Sequence, residues 1–298
     1  MKDMLFFVNP RSGKEQIRSQ LLDILDVFSG AGYLPRVHIT QNAEDAKRLA
    51  AELGGKTDLI VCSGGDGTLN NVVSGIMGLP RIPRIGYIPS GSGNDFARSL
   101  KIPVDPKKAA EAAVSGTGRK IDVGKFGDDQ YFVYVAAFGA FTEVSYKTPQ
   151  DIKNILGHQA YLLESLKALP SIKPRRIAAE WDDGSIEGEF IFGMITNSRS
   201  VAGFKTLAPR EVSLYDGLFE GLFIRMPRTP ADLTDIVTSI LLRDEENENA
   251  FRFRASRIRV VSEYEIPWVL DGEYGGTIRE AVIENLHGVL PLNRSPQG

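Results

Sequence analysis

The chain begins with an apolar run, Met4 to Val8, and after Asn9-Pro10-Arg11-Ser12-Gly13-Lys14 the apolar residues return at Ile17, Leu21, Ile24, Leu25 and Phe28. A short run followed by recurrence every three or four residues predicts a strand, a loop and a helix. Gly30 and Gly32 end that helix, Val37 and Ile39 alternate about His38 in a second strand, and Thr40 and Asn42 open a helix that buries Ala46, Leu49, Ala50 and Leu53. Leu59 to Cys62, preceded by Gly54 and Gly55, is too short and too apolar for an amphipathic helix and predicts a buried parallel strand. It breaks into Gly64-Gly65-Asp66-Gly67 and resumes as a helix carrying Leu69, Val72, Val73 and Ile76, with Thr68 as the expected cap. Ile85 to Ile88 forms a fourth strand, and Asp105-Pro106 starts a helix through Ala109, Ala110 and Ala113 to Gly116. Such β–α units require a parallel sheet covered by helices, and these sheets bind ligands at the carboxyl ends of their strands.

After Arg119 the pattern turns to strands: Tyr131–Ala137, Arg176–Trp181, Glu187–Thr196, Leu218–Arg225, Phe251–Val261 and Ile278–Asn285. Two helices interrupt them, one near Gln159–Leu169 and one from Pro230, capped by Thr229, through Leu233, Ile236, Val237 and Ile240. The expected fold class is α/β plus β: a Rossmann-like parallel sheet with helices on both faces over 1–122, then a mainly antiparallel β-sandwich domain over 123–288. Within Phe251–Val261, arginines 252 and 254 fall on even positions and 257 and 259 on odd ones, so a one-sided row needs a bulge or break at Ala255-Ser256. Such a row suits anionic lipid; a solvated strand face is the plainer reading.

A chain of 298 residues is long enough for two cores, and its 42% hydrophobic and 24% charged residues are those of a soluble globular protein. A net charge of −3 argues against a nucleic-acid partner. The single cysteine, Cys62, lies in an apolar strand and reads as structural. Met1-Lys2-Asp3 leads straight into a strand, and the longest uncharged run that could pass for a membrane span, Gln130 to Thr142, falls short of the roughly eighteen residues required, so a cytoplasmic location is expected. His38, His158 and His287 stand apart from one another and from Cys62, which leaves no zinc pattern.

Three glycines after a strand let backbone approach an anion while the next helix offers free N–H groups; an ordinary tight turn accounts for one of them. Gly65 is expected to leave no room for a Cβ against phosphate. Asp66 cannot face phosphate bare, because two anions repel strongly in a partly dry cleft, so a metal ion or ribose hydroxyls would account for it. Asp95 is in the same position, or caps a helix over Phe96–Leu100. Lys14 reaches a phosphate or stays solvated. Trp268-Val269-Leu270 leads into Asp271-Gly272-Glu273, where strand alternation would put both carboxylates on one face; a hairpin turn is the plainer alternative.

The stretch Gly64-Gly65-Asp66-Gly67-Thr68 resembles the signature of diacylglycerol, sphingosine and NAD kinases, and is not a Walker A loop, since Lys14 lacks that motif's leading glycine. Pro89 to Arg98, PSGSGNDFAR, resembles the lipid-kinase version of the neighbouring loop, and Tyr215–Phe219 and Asp271–Gly276 resemble the remaining blocks of soluble bacterial diacylglycerol kinases. The likeness runs over nearly the whole chain. It implies a kinase that moves the γ-phosphoryl group of MgATP to the hydroxyl of diacylglycerol at the membrane surface and yields phosphatidic acid. Around the nucleotide it implies Asn9, Pro10, Arg11, Ser12, Gly13, Thr40, Gly64, Gly65, Asp66, Gly67, Thr68, Leu69, Asn70, Ser92 (threonine is common there in relatives) and Asp95. For Mg²⁺ it implies Asp216 with main-chain oxygens of Ser213 and Leu218, an Asp-Gly turn being the plainer reading. It implies Glu273 as proton acceptor, with Asp271 orienting it or linking to Mg²⁺. It also implies a return of 289–298 to the first domain, for which the tail after Leu290 is short. A sphingoid base, phosphatidylglycerol or, more distantly, NAD remain as other acceptors. A nucleotide-gated peripheral membrane protein without turnover is the non-enzyme reading, against which Asp271 and Glu273 speak. A homodimer is allowed for, since nothing in the chain sets the oligomeric state.

Overall fold

The computed structural model describes residues 1–13, 17–91, 93–139, 173–201, 212–242, 244 and 247–294. Lys14, Ser92 and the helix expected near 159–169 lie outside the described residues. The chain divides into two compact units, Met1–Val123 with the chain's end from His287, and Gly124–Leu286.

In the first unit β1 (Lys2–Val8) pairs in parallel with β2 (Tyr33–Ile39) on one side and β3 (Leu59–Gly64) on the other, and β3 pairs in parallel with β4 (Arg84–Pro89). Every residue of β3 is buried, as a strand covered on both faces must be. The covering helices are α1 (Ile17–Gly30), packed with α5 (Pro106–Ser115), and α2 (Ala43–Leu53), packed with α3 (Asp66–Ile76). Phe6 of β1 meets Phe28 of α1 edge to face, centroids 5.1 Å apart, and each fully buried ring of this kind contributes about 1.5–3 kcal/mol. Asn42 and Asp105 cap α2 and α5 through their side chains. Thr68 does not cap α3: that helix starts at Asp66 with Gly65 at its N-cap, and Thr68 sits inside the first turn. A short helix α4 (Asp95–Ser99) follows β4.

Strand β5 (Thr117–Phe126) was not evident in the sequence, because Thr117 to Lys120 are exposed and burial begins only at Ile121. It pairs with β13 (Glu273–Arg294), which is far longer than the expected Ile278–Asn285. From His287 onward β13 belongs to the first unit, and Leu292 pairs in parallel with Ile85 of β4. Buried Asp122 anchors this return, with its Oδ1 accepting from Gly288 N–H at 2.8 Å and lying 3.0 Å from His287 Nδ1. Asn293 Nδ2 donates to the Ala113 carbonyl at 2.7 Å.

The second unit is antiparallel. Its strands are β6 (Gln130–Phe132), β7 (Val135–Gly139), β8 (Arg175–Trp181), β9 (Gly184–Thr196), β10 (Phe219–Arg225), β11 (Ala250–Ala255), β12 (Arg257–Leu270) and β13 up to Leu286, with α6 (Pro230–Leu242) between β10 and β11. β7 and β8 lie end to end between β9 and β12: β9 pairs with β8 along Gly184–Phe190 and with β7 along Phe192–Thr196. β10 and then β11 extend the sheet beyond β9. Trp268 gathers the core, with centroids 4.9 Å from Phe138 and 5.1 Å from Phe126. The expected strand Tyr131–Ala137 is split at Val133-Tyr134, whose N–H groups turn to Asp271. The run Phe251–Val261 is broken at Ser256, as the arginine spacing requires, and Ser256 N–H donates to Asp182 Oδ2 at 2.5 Å. No helix among the described residues is long and apolar enough to cross a membrane.

Leu292 has no exposed surface, so Leu292→Ala is expected to cost about 2–5 kcal/mol in denaturant unfolding, whereas Leu22→Ala, at an exposed position, should stay within about 0.5 kcal/mol. Equal effects at the two positions would show that the returning strand adds nothing to the first unit.

Candidate active site

Because β1, β3 and β4 are neighbours in register, with Val8 opposite Ser63 and Gly64 opposite Pro89, the loops that follow them emerge side by side. Asn9 binds two of them together: its N–H donates to the Ser63 carbonyl at 2.9 Å and its Nδ2 to Thr68 Oγ1 at 3.0 Å. Gly13 has φ +57°, and a Cβ there would lie 2.1 Å from the Ser90 carbonyl oxygen, so only glycine lets the first loop reach the third. Gly91 approaches Gly65 as closely, since a Cβ on it would lie 2.6 Å from Gly65 Cα. Asn94, itself left-handed at φ 55°, holds the third loop by accepting from Gly91 N–H at 2.9 Å and donating to the Gly91 carbonyl at 2.6 Å. Tyr87, buried in β4, donates to the Gly64 carbonyl at 3.1 Å. Sequence reasoning passed over Asn94 and Tyr87; the one available signal was an Asn after Gly, the residue type that best tolerates that backbone region after glycine.

The first i→i−4 bond of α3 runs from Leu69 N–H to the Gly65 carbonyl at 3.2 Å, which leaves the N–H groups of Asp66 and Gly67 without an intrahelical acceptor. At Gly65 the protein itself leaves room: a Cβ would meet only Gly91 Cα at 3.5 Å and Ser12 Oγ at 3.9 Å, which is ordinary contact. The position is open, and a side chain on it would fill the space beside the free N–H groups. Loops of this construction fit an anionic ligand such as a polyphosphate. Other residues of the expected set are already engaged. Leu69 is in the core, Asn70 Oδ1 accepts from Ser74 Oγ, and the Thr40 hydroxyl and N–H both turn to the Val8 carbonyl. Pro10 and Arg11 lie on the first loop, where Arg11 N–H donates to Asn9 Oδ1.

Asp66 is not bare. Its carboxylate accepts from Asp95 N–H at 2.9 Å and Phe96 N–H at 3.4 Å, so Asp66, 29 residues upstream, fills the capping role expected of Asp95. Asp95 is instead the first residue of α4 and is buried, 3.9 Å from Arg98. Burial, and then the neighbouring Asp95 charge, push the Asp66 carboxyl up to about 6, against the pull of the two N–H donors. A cation beside this pair would relieve that repulsion. Cys62 is fully buried, which raises its thiol far above the ordinary value and fits a structural role.

In the second unit Asp271-Gly272 is a two-residue hairpin between β12 and β13, Leu270 pairing with Glu273, with positive φ at both turn residues (51° and 89°). Alternation therefore does not put the two carboxylates on one face. Asp271 is buried and accepts from the N–H groups of Val133 at 2.6 Å, Tyr134 at 3.0 Å and Val135 at 2.9 Å. Glu273 is exposed, and its carboxylate takes no partner among the described residues. Asp271 thus locks the hairpin and Glu273 is presented on it.

At the turn Leu214–Gly217 before β10, Asp216 Oδ2 accepts from Arg254 Nη2 at 2.5 Å and Oδ1 from Leu218 N–H at 3.2 Å. With both oxygens engaged, one of them by a cation, the Asp216 carboxylate does not fit the expected metal ion. Glu220, unremarked in the sequence, is fully buried with neither carboxyl oxygen hydrogen-bonded, and Arg254 Nε is 3.5 Å away. Burial pushes its carboxyl up to about 8, against the pull of Arg254. Two arginines of the row take acidic partners, Arg257 with Glu284 and Arg259 with Glu280 and Glu180, in exposed ion pairs of the kind a solvated strand face carries.

Two outcomes follow from this geometry. Gly65→Ala should melt near the parent temperature but lose ATP binding in a titration, whereas Gly13→Ala should lower the melting temperature; unchanged ATP affinity in the first would refute the cradle. The folded state holds the Glu220 proton up to about pH 8 while the unfolded chain releases it near the ordinary 4.5. The stability this contributes is complete below about pH 4.5 and is lost as pH rises through about 8. Glu220→Gln should therefore flatten the stability profile between pH 5 and 8 in denaturant titrations, and a profile that keeps the parent's slope would remove Glu220 as its source.

The diacylglycerol kinase catalytic domain family matches residues 3–126. A Bacillus subtilis (strain 168) diacylglycerol kinase is 37% identical over 100% of this chain and 99% of its own, and one from Staphylococcus aureus (strain MRSA252) is 36% identical over 91% of this chain and 85% of its own. A Bacillus anthracis str. Sterne crystal structure assigned as a diacylglycerol kinase superposes with a TM-score of 0.83 at 25% identity, covering 99% of this chain and 96% of that one. The mixed α/β fold with its extensive antiparallel sheet is shared along the whole length, and the chain belongs to the diacylglycerol kinase family of lipid kinases.

Proposed function

We propose that the protein transfers the γ-phosphoryl group of ATP to the free hydroxyl of diacylglycerol and releases phosphatidic acid. The observation that carries the nucleotide half is the cradle after β1, β3 and β4, where backbone packs on backbone at Gly13 and Gly91 while Gly65 and the N–H groups of Asp66 and Gly67 stay open. The substrate half rests on relatives that are diacylglycerol kinases along their full length. The Rossmann-like first unit binds the polyphosphate through main-chain donors, with Asn9 and Ser12 beside it. Asp66 and Asp95 would hold the Mg²⁺ that accompanies the nucleotide, and that ion supplies charge neutralisation on the phosphates. The second unit supplies Glu273, whose free carboxylate takes the proton of the attacking hydroxyl, while Asp271 fixes the hairpin that carries it. The acceptor comes from a membrane surface, so the protein meets lipid peripherally.

The test is transfer of labelled phosphate from ATP across micelles of diacylglycerol, sphingosine and phosphatidylglycerol, with NAD in parallel. Phosphatidic acid should be the favoured product, and higher kcat/KM on any other acceptor would reassign the substrate. A general base typically contributes about 10²- to 10⁴-fold, so Glu273→Gln should lower turnover by that order with ATP binding near the parent's. Turnover within a few-fold of the parent would remove Glu273 as the proton acceptor.

A further inference from the structure

The Asp216 turn holds a cation that is part of the chain. Arg254 on β11 lies directly opposite Glu220 on β10, so the strand register delivers its guanidinium to both carboxyl groups: Nη2 to Asp216 Oδ2 at 2.5 Å and Nε to Glu220 Oε1 at 3.5 Å. The remaining Asp216 oxygen takes Leu218 N–H. We propose that Arg254 is the resident counter-cation of this turn, in the place where the family resemblance puts a divalent metal, and that the fold of the second unit does not depend on Mg²⁺. A guanidinium keeps its charge at every relevant pH and offers its donors as a rigid fork, which suits two acceptors set side by side. Mg²⁺ instead demands about six oxygens at about 2.0–2.1 Å. To reach Asp216 Oδ2 it would have to displace Arg254, and displacement would leave Glu220, which is fully buried and has no hydrogen bond to either oxygen, facing no arginine. Arg254 therefore binds Asp216 while keeping its Nε 3.5 Å from Glu220 Oε1, whereas an ion bound at the turn would meet Asp216 alone. The inference holds whichever alcohol the enzyme phosphorylates, since Arg254, Asp216 and Glu220 belong neither to the nucleotide loops nor to the Asp271 hairpin.

The experiment is thermal unfolding of the nucleotide-free protein in EDTA and in millimolar MgCl₂, for the parent, Arg254→Met and Asp216→Ala. The parent should melt at the same temperature in both solutions, and Arg254→Met should melt lower in EDTA by on the order of 3–6 °C. A parent midpoint that rises with MgCl₂ and loses the rise in Asp216→Ala would overturn the proposal, as would Arg254→Met melting with the parent in EDTA. Should Arg254→Met fail to fold, Mn²⁺ binding to the nucleotide-free parent decides: binding that Asp216→Ala abolishes overturns the proposal, and binding indifferent to Asp216→Ala, or none, supports it.

Discussion

Contact of backbone with backbone at the carboxyl ends of three adjacent parallel strands is the constraint on which the first unit depends. The strands are level, so their loops have no lateral freedom, and the loops close on one another only because Gly13 and Gly91 carry no side chain. Every other feature there serves that closeness. Asn9 ties the first loop to the first turn of α3, Asn94 takes a left-handed backbone to hold the third, and Asp66 caps the start of α4 with its carboxylate. The N–H groups of Asp66 and Gly67 are left without an intrahelical acceptor, and main-chain N–H groups recognise an anion by charge and geometry.

The second unit solves a different problem by similar means. A strand end that must present a carboxylate needs rigidity, and a two-residue hairpin with positive φ at both positions would be a weak anchor by itself. Asp271 supplies the anchor by accepting three successive N–H groups at the β6–β7 junction, which is also why that stretch cannot continue as one strand. The same bonds therefore end one element and fix another. Hydrogen bonds to a charged acceptor contribute about 1.5–3 kcal/mol each in a buried setting, enough to hold the turn against its own flexibility.

What could be read from the sequence was whatever is encoded locally. Three glycines after a wholly apolar run announced the cradle, Asn42 and Asp105 announced their helices, and the change of parity among the arginines announced the break at Ser256. What could not be read was encoded across the chain. Asp66 looked unpaired because its partners, Asp95 and Phe96, follow 29 and 30 residues later, and Asp271 looked catalytic because its donors lie more than 130 residues upstream. Arg257 and Arg259 looked unpaired because Glu180, Glu280 and Glu284 meet them only after strands pair. Strand β5 escaped notice because its first four residues are exposed and the buried stretch begins only at Ile121.

Those long-range pairings also decide which carboxylate can do chemistry. Asp271 is committed to three backbone donors, Asp66 to two, Asp122 to the returning strand, and Asp216 to Arg254 and Leu218. A group that must accept a proton during the reaction cannot have its lone pairs already filled by N–H groups that would lose their acceptor when it does. Glu220 has unfilled oxygens but no access, being fully buried. Glu273 has both open oxygens and solvent access, one residue past the most firmly held turn in its unit. Glu273, which we propose as the proton acceptor, is thus a carboxylate that folding has left unused.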